Sequence, residues 1–239
     1  MAATIIVSDY EGHHNKTEYW KRLEAEKLYR EQSTICIIPT RGVIAARVVE
    51  TWWSLITPMN QKFMRIIPKG MEVGAAYSEA ITHILSNPDL STWKYILTLE
   101  EDNLPPPDGL LRLISAIEEG WDAVGGLYWT KGPGGQPMCY GDPDRMPLDF
   151  IPRIPAPDSL TPCNGLGMGF TLFRLSMFKD ERLPRPLFQT VQRFDPCRGG
   201  EAYPQDLFFF HNARKLGYKF ACDSRVKVGH YDIADDYVW

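Results

Sequence analysis

Short apolar runs that alternate with amphipathic segments constrain the fold of this chain more than any other feature of its sequence. The first run, Ile35 to Ile38, is continuously apolar, which is typical of a strand buried on both faces of a parallel sheet. The segment 43–55 then has a helical pattern, and the succession of strand and helix continues for about 90 residues. This alternation predicts an open α/β sheet with right-handed crossover connections.

The remaining elements follow from the period of the apolar residues. Further strands are predicted at 62–67, 95–99, 122–128 and 169–174, with short ones at 218–222 and 226–228. Further helices are predicted at 73–85, 108–118 and 204–216. Residues 132–162 are rich in Gly, Pro and Asp and lack a clear period, which is typical of a functional or mobile segment.

The composition and the cysteine spacing limit the classes of protein to which this chain can belong. The 26 basic and 30 acidic residues give a net charge of −4, which argues against a surface that coats nucleic acid but allows a local basic groove. The five cysteines are widely spaced without a CxxC pair, which argues against a zinc knuckle or a secreted disulfide scaffold. No signal-peptide pattern is visible, and no apolar stretch reaches the roughly 18 residues of a membrane span. We therefore expect a cytoplasmic protein without a membrane span.

The pattern along the chain predicts one domain preceded by an arm. Residues 1–33 carry a short apolar run and then a charged helical pattern over 16–32, so we expect an N-terminal arm packed on the rest of the chain. Residues 34–239 fall within the range of a single domain of ordinary size.

Three carboxylates directly follow the predicted strand 95–99. Glu100, Glu101 and Asp102 would repel one another there unless a cation were present, and oxygen ligands suit Mg²⁺ or Mn²⁺. Open α/β sheets bind ligands beyond the carboxyl ends of their strands, where residues 39–41 are also predicted to lie. The alternative is an acidic turn in water.

Asp206 and His230 are further candidates for a chemical role. Asp206 lies in the first turn of the predicted helix 204–216, where it is either a general base or a residue that complements the helix dipole. His230 follows a predicted strand and is either a structural histidine or a metal ligand. The glycine-rich segment 164–169 lacks the G-x-G-x-x-G spacing, so it is either a tight loop or a close approach to a bulky ligand.

In their order along the chain, these segments resemble those of the GT-A fold glycosyltransferases. The resemblance is to the large inverting family that includes cellulose-synthase-like and small bacterial and phage enzymes, and it covers residues 34–232. In the first half of the chain, the matching segments are a first strand with its nucleotide loop at 35–41 and a "DxD" strand at 95–103. In the second half, they are a glycine loop with its strand at 164–174, an "ED" helix start at 203–209, and closing strands at 217–220 and 226–230.

The resemblance implies both a fold and a reaction. The fold is GT-A, a Rossmann-like α/β domain of nucleotide-diphospho-sugar transferases with a mixed central sheet, here over residues 34–239. Residues 34–128 would bind the nucleotide sugar, and residues 129–239 would bind the acceptor. The implied reaction is a metal-dependent, inverting transfer of a sugar from a nucleotide-sugar, expected to be a UDP-sugar, to an acceptor hydroxyl.

The resemblance also implies a role for each matching residue. Asp206 aligns with the catalytic base, and Asp102 and His230 align with the protein ligands of Mn²⁺ or Mg²⁺. The residues implied to border the nucleotide and its phosphates are Pro39, Thr40, Arg41, Glu100, Glu101 and Asp102. Those implied to face the donor sugar or the acceptor are Trp129, Gly165, Leu166, Gly167 and Gln205. Glu100 and Gln205 depart from the pattern, which more often has Asp and Glu at these positions.

Two other functions stay open on the sequence alone. A nucleotidyltransferase of related architecture would release pyrophosphate, although its usual glycine-rich, lysine-bearing signature is not visible after Ile38. A non-catalytic nucleotide-sugar-binding module would tolerate the altered Glu100 and Gln205. The acceptor is equally open: a glycan, a protein side chain, a small molecule, or a hydroxymethylated base in viral DNA. The last would need a basic groove, for which the scattered candidates are Lys131, Arg145, Arg153 and Arg193.

Overall fold

A computed structural model describes residues 32–58, 62–195 and 199–239 of the chain. The predicted arm, 1–33, lies outside the described residues except for its last two, and Ser33 already belongs to the first strand. The described helices are α1 (Ala46–Ser54), α2 (Val73–Ser86), α3 (Gly109–Ile117) and α4 (Gln205–Lys215). The described strands are β1 (Ser33–Ile37), β2 (Lys62–Ile66), β3 (Tyr95–Leu99), β4 (Asn103–Leu104), β5 (Ala123–Leu127), β6 (Cys139–Tyr140), β7 (Leu160–Cys163), β8 (Gly165–Leu166), β9 (Phe170–Arg174), β10 (Val191–Asp195), β11 (Gly199–Tyr203), β12 (Phe220–Lys227), β13 (Gly229–Asp232) and β14 (Tyr237–Val238).

Seven of these strands form one mixed central sheet in the order β2-β1-β3-β9-β5-β12-β7. Strand β1 runs parallel to β2 and β3, and β5 runs parallel to β12. Strand β9 is antiparallel to both of its neighbours, and β7 is antiparallel to β12. The predicted α/β class with a mixed central sheet is therefore confirmed.

The sheet is covered by helices on both faces, and the first strand shows why. Ile35 and Ile37 pack into a core that includes side chains of α2 and α4, whereas Cys36 and Ile38 pack into a second core with side chains of α1 and α3. All four side chains are at most 1% exposed. A continuously apolar strand fits this position because both of its faces lose contact with water, and each buried isoleucine contributes about 1.5–3 kcal/mol.

The two short strands predicted at 218–222 and 226–228 are in fact one strand, β12, with an irregular register between Asp223 and Lys227. The polar residues that interrupt the apolar pattern are satisfied locally. The buried Asp223 carboxylate pairs with Arg225 at 2.8 Å, and the Ser224 hydroxyl donates to the Ala156 carbonyl at 2.7 Å. These contacts allow polar residues in a strand that the sequence pattern divides.

Residues 132–162 are predicted to lack regular structure. The strands described there are β6 and most of β7. The antiparallel hairpin of β10 and β11 was not predicted. Within the described part of the chain, none of the helices combines the length and the apolar composition needed to cross a bilayer.

Candidate active site

The predicted nucleotide-side residues come together at one edge of the central sheet. Strands β1 and β3 are parallel neighbours, so the segments that follow them leave the sheet side by side. A cleft of about 270 Å³ opens there. It is lined by Pro39, Thr40, Arg41, Met71, Val73, Glu100, Glu101 and Asp102.

Glu101 connects the two segments. Its carboxylate accepts hydrogen bonds from the Thr40 hydroxyl at 2.6 Å, the Arg41 backbone N–H at 2.9 Å and the Arg41 Nε at 2.6 Å. Burial opposes ionisation of this carboxylate, but the hydrogen bonds from Thr40 and Arg41 outweigh that effect and lower its pKa. Glu101 therefore fixes the loop after β1 against the loop after β3.

A short strand pairing brings Asp102 and His230 together. Strand β4 follows the carboxylates directly and pairs antiparallel with β13, so that His230 lies opposite Asn103. The Tyr231 backbone N–H donates to the Asp102 carbonyl at 2.7 Å. His230 also exchanges two backbone hydrogen bonds with Trp239, which fix its main chain from the other side.

The ring of His230 is oriented by two contacts. Nδ1 lies 2.7 Å from the carbonyl oxygen of Trp129, and because a carbonyl only accepts, Nδ1 carries a proton. Nε2 lies 3.4 Å from Asp102 Oδ2. Metal-bound histidines typically donate their second N–H to such a carbonyl, which makes His230 a candidate ligand through Nε2.

Asp102 is held in its ionised form. Burial opposes ionisation, but the contacts with His230 and with Lys131, whose Nζ lies 2.6 Å from Oδ2, lower the pKa of Asp102 to about 2. The carboxylate thus carries its negative charge throughout the physiological pH range.

The donor set fits a divalent ion that is shared with a substrate. No group of three or more His, Cys, Asp and Glu side chains converges on one point in the described ranges. Asp102 and His230 are the two candidate ligands, one oxygen and one nitrogen. Mg²⁺ commonly completes such a partial set with substrate phosphates and water, and Mn²⁺ accepts the same oxygen ligands.

Asp206 lies in the first turn of α4 and is 5% exposed. Its Oδ1 accepts the Leu207 backbone N–H at 2.8 Å. Burial raises the pKa of Asp206 to about 6, although the backbone hydrogen bond acts in the opposite direction. The neighbouring Gln205 is close to the start of α2, where a Cβ added at Gly74 would lie 3.0 Å from the Gln205 Cβ. Packing against α2 therefore holds the start of α4.

Glu100 interacts electrostatically with both Asp102 and Asp206. The residue is half-buried, and burial together with the charges of Asp102 and Asp206 raises its pKa to about 8. Three carboxylates thus share one region with graded pKa values. Paired titratable groups whose environments separate their pKa values are a common feature of acid–base sites.

The glycine loop lies deeper than the prediction required. Leu166 in β8 is 1% exposed and belongs to the core. A Cβ at Gly167 would collide with the Tyr128 hydroxyl, and one at Gly165 would lie 3.0 Å from the Phe150 ring. Aromatic side chains therefore make the close approach at these two glycines.

Trp129 is half-buried beside the cleft, where its carbonyl orients His230. Lys131, two residues further along, contacts Asp102, a role that our interpretation of the sequence missed. The available signal was a Gly-Pro-Gly-Gly turn, residues 132–135, after a strand predicted to end at the same edge of the sheet.

Comparisons with known proteins identify the fold alone. No family model and no curated protein matches the chain. Among solved structures, the crystal structure of A197 from STIV superposes with a TM-score of 0.59 at 18% identity, over 87% of this chain and 93% of A197. This similarity supports the mixed α/β fold described above.

Two further structures superpose with TM-scores below 0.5 and carry no weight for the fold or the function. HddC from Yersinia pseudotuberculosis has a TM-score of 0.40 at 14% identity, over 92% of this chain and 80% of HddC. The 4-diphosphocytidyl-2C-methyl-D-erythritol synthase from Anaerococcus prevotii has a TM-score of 0.36 at 12% identity, over 64% and 74% of the two chains.

The raised pKa of Asp206 predicts that the ionised form of this residue lowers the free energy of unfolding. A carboxylate whose pKa rises from 3.8 to about 6 on folding destabilises the native state above pH 6, and the cost disappears below pH 4. Asp206→Asn should therefore raise the free energy of unfolding at pH 8 by up to about 3 kcal/mol, with no gain at pH 4. Urea denaturation at both pH values measures this. A variant that is less stable than the wild type at pH 8 would contradict the assigned environment.

Proposed function

We propose that this protein is a metal-dependent, inverting glycosyltransferase that moves a sugar from a nucleotide-sugar, specifically a UDP-sugar, to an acceptor hydroxyl. The observation that carries the proposal is that Asp102 and His230 Nε2 lie 3.4 Å apart at the edge of the sheet, while the neighbouring Glu100 interacts electrostatically with the buried carboxylate of Asp206. Asp102 and His230 would hold a cation for the leaving group, and Asp206 would act as a base on the acceptor.

Asp102 and His230 would hold Mn²⁺ or Mg²⁺ on the leaving-group side. When bound, such an ion neutralises the charge that develops on a departing nucleoside diphosphate. The Trp129 carbonyl orients the His230 ring through Nδ1, so that Nε2 faces Asp102, and the ion pair with Lys131 keeps Asp102 ionised. A bound cation would need both Nε2 and this carboxylate unprotonated.

Asp206 is the proposed general base. An acceptor hydroxyl has a high pKa, so its proton must be taken as the new bond forms, and a positioned base contributes about 10²–10⁴-fold to the rate. A pKa of about 6 makes Asp206 a stronger base than an ordinary aspartate while it stays mostly ionised at pH 7. A single displacement of this kind inverts the anomeric carbon.

The loop after β1 is the proposed nucleotide side. Pro39, Thr40 and Arg41 line the cleft, and Glu101 holds this loop through Thr40 and Arg41. In this proposal the first half of the domain, 34–128, binds the nucleotide. The second half, 129–239, contributes Asp206 and His230 together with the acceptor side, where Trp129 and Gln205 lie near the cleft edge.

The charged side chains favour a neutral acceptor over viral DNA. Lys131 is paired with Asp102, and Arg145 and Arg153 both lie within 3.8 Å of Asp142, so these cations are partly neutralised. The Arg193 side chain lies outside the described residues. A glycan, a protein side chain or a small molecule is therefore the better acceptor proposal. The cytosol is the proposed location, because nucleotide-sugars are made there and the described cysteines are free thiols.

The base assignment predicts a selective loss of turnover. Asp206→Asn should fold and bind UDP within about threefold of the wild type, but its Mn²⁺-dependent release of UDP from a UDP-sugar should fall by at least about 100-fold. Screening UDP-sugars without an acceptor measures the slow leak to water in both proteins. Asp235→Asn, at an exposed position, is the matched control and should be unaffected. Near-normal turnover of Asp206→Asn would refute the base assignment.

The metal assignment predicts that affinity for UDP depends on Mn²⁺ through two side chains. In the wild type, Mn²⁺ should tighten UDP binding by at least about tenfold over EDTA, because charge-assisted contacts to the diphosphate are gained. In Asp102→Ala and in His230→Ala the ratio should approach one, whereas the exposed His83→Ala should keep it. Isothermal titration calorimetry gives both affinities. Equal wild-type affinity with and without the metal would show that no such site exists.

A further inference from the structure

Lys131 pairs with Asp102, and the proposed reaction uses this contact only to keep Asp102 ionised. Its Nζ lies 2.6 Å from Asp102 Oδ2, and the two side chains are 30% and 28% exposed. Lys131 is thus partly exposed, and its partner Asp102 lines the cleft. Partly exposed ion pairs contribute little to stability, so the contact has no strong structural reason.

The loop that carries Lys131 is held independently of this ion pair. Thr130 and Gln136 are joined by a backbone hydrogen bond of 2.9 Å, and the Thr130 hydroxyl accepts the Gln136 N–H at 2.8 Å. Gly132 and Gly134 have φ values of +96° and +78°, which only glycine adopts without strain. The lysine therefore projects from a preformed turn, and its ammonium can change partner without unfolding the loop.

The charges around the cleft suggest which partner it would take. Asp102 holds Lys131 on one side, and Glu101 holds Arg41 on the other at 2.6 Å, with the Arg41 side chain 87% exposed. Two cations thus flank the carboxylates at the place where a donor diphosphate would lie. An ammonium is a compact charge with three donors, which suits phosphate oxygens.

We propose that Lys131 is a diphosphate ligand that exchanges partners. It neutralises Asp102 while the cleft is empty, and it pairs with a phosphate oxygen when a diphosphate enters the cleft. A divalent ion on Asp102 would favour this exchange. The inference deepens the proposed function, since the diphosphate is that of the nucleotide-sugar donor. Lys131 would then stabilise the leaving group together with the two metal ligands.

Inorganic pyrophosphate is the probe, because it tests the diphosphate contact without a nucleoside. In EDTA, Lys131→Met should bind pyrophosphate at least about tenfold more weakly than the wild type, and Lys131→Arg should stay within about threefold. Asp102→Asn should bind it at least as tightly as the wild type, because the lysine is released and a repelling charge is removed. Lys179→Met, an exposed position after the far end of β9, is the control and should match the wild type. Thermal unfolding verifies that each variant is folded.

The outcomes separate this inference from the proposed function. Equal pyrophosphate affinity of wild type and Lys131→Met, or no binding by the wild type, would overturn the inference. A loss in Asp102→Asn as large as that in Lys131→Met would also overturn it, since it would indicate a purely structural pair. If pyrophosphate binding depends on Lys131 but UDP does not bind with Mn²⁺, the inference stands and the transferase proposal fails.

Discussion

Repulsion among carboxylates in a partly buried cleft is the constraint on which the site depends. Glu101 is matched by Thr40 and Arg41, and Asp102 is matched by Lys131 and His230. Among the described residues, neither Glu100 nor Asp206 forms an ion pair or a hydrogen bond with another side chain, and their pKa values rise to about 8 and about 6. The fold thus brings carboxylates with lowered pKa values and carboxylates with raised ones into one region, a division suited to a cation and a base.

The fold achieves this separation with few elements. The parallel pairing of β1 with β3 brings two loops to one edge, and the two-residue strand β4 reaches β13 from there. That pairing brings His230 to Asp102, while the start of α4, packed beside α2, supplies Asp206 from the opposite half of the domain. His230 and Asp206, from the second half of the chain, therefore interact with the carboxylates that follow β3, and each lies on a short or terminal part of its element.

Much of the central sheet could be predicted from the sequence, because its strands are continuous apolar runs with distinct ends. Strand β3 matches its prediction, 95–99, and α2 differs by one residue. The pairing of β4 with β13 could not be predicted, since two-residue strands carry no period and their partner lies far along the chain. The contact between Lys131 and Asp102 could not be predicted either, because it too joins residues far apart in the sequence. The glycine-rich pattern at 164–169 indicates close approach without saying to what, and only the structure shows that aromatic side chains lie against Gly165 and Gly167.

The identity of the product tests the central claim most directly. Wild-type protein would be incubated with Mn²⁺ and a UDP-sugar, and the products followed by phosphorus and proton NMR. The account predicts UDP together with a free sugar that first appears as the anomer opposite to that in the donor. UMP with a sugar phosphate, or pyrophosphate formed when UTP and a sugar phosphate are supplied instead, would contradict it and indicate transfer of a nucleotidyl group.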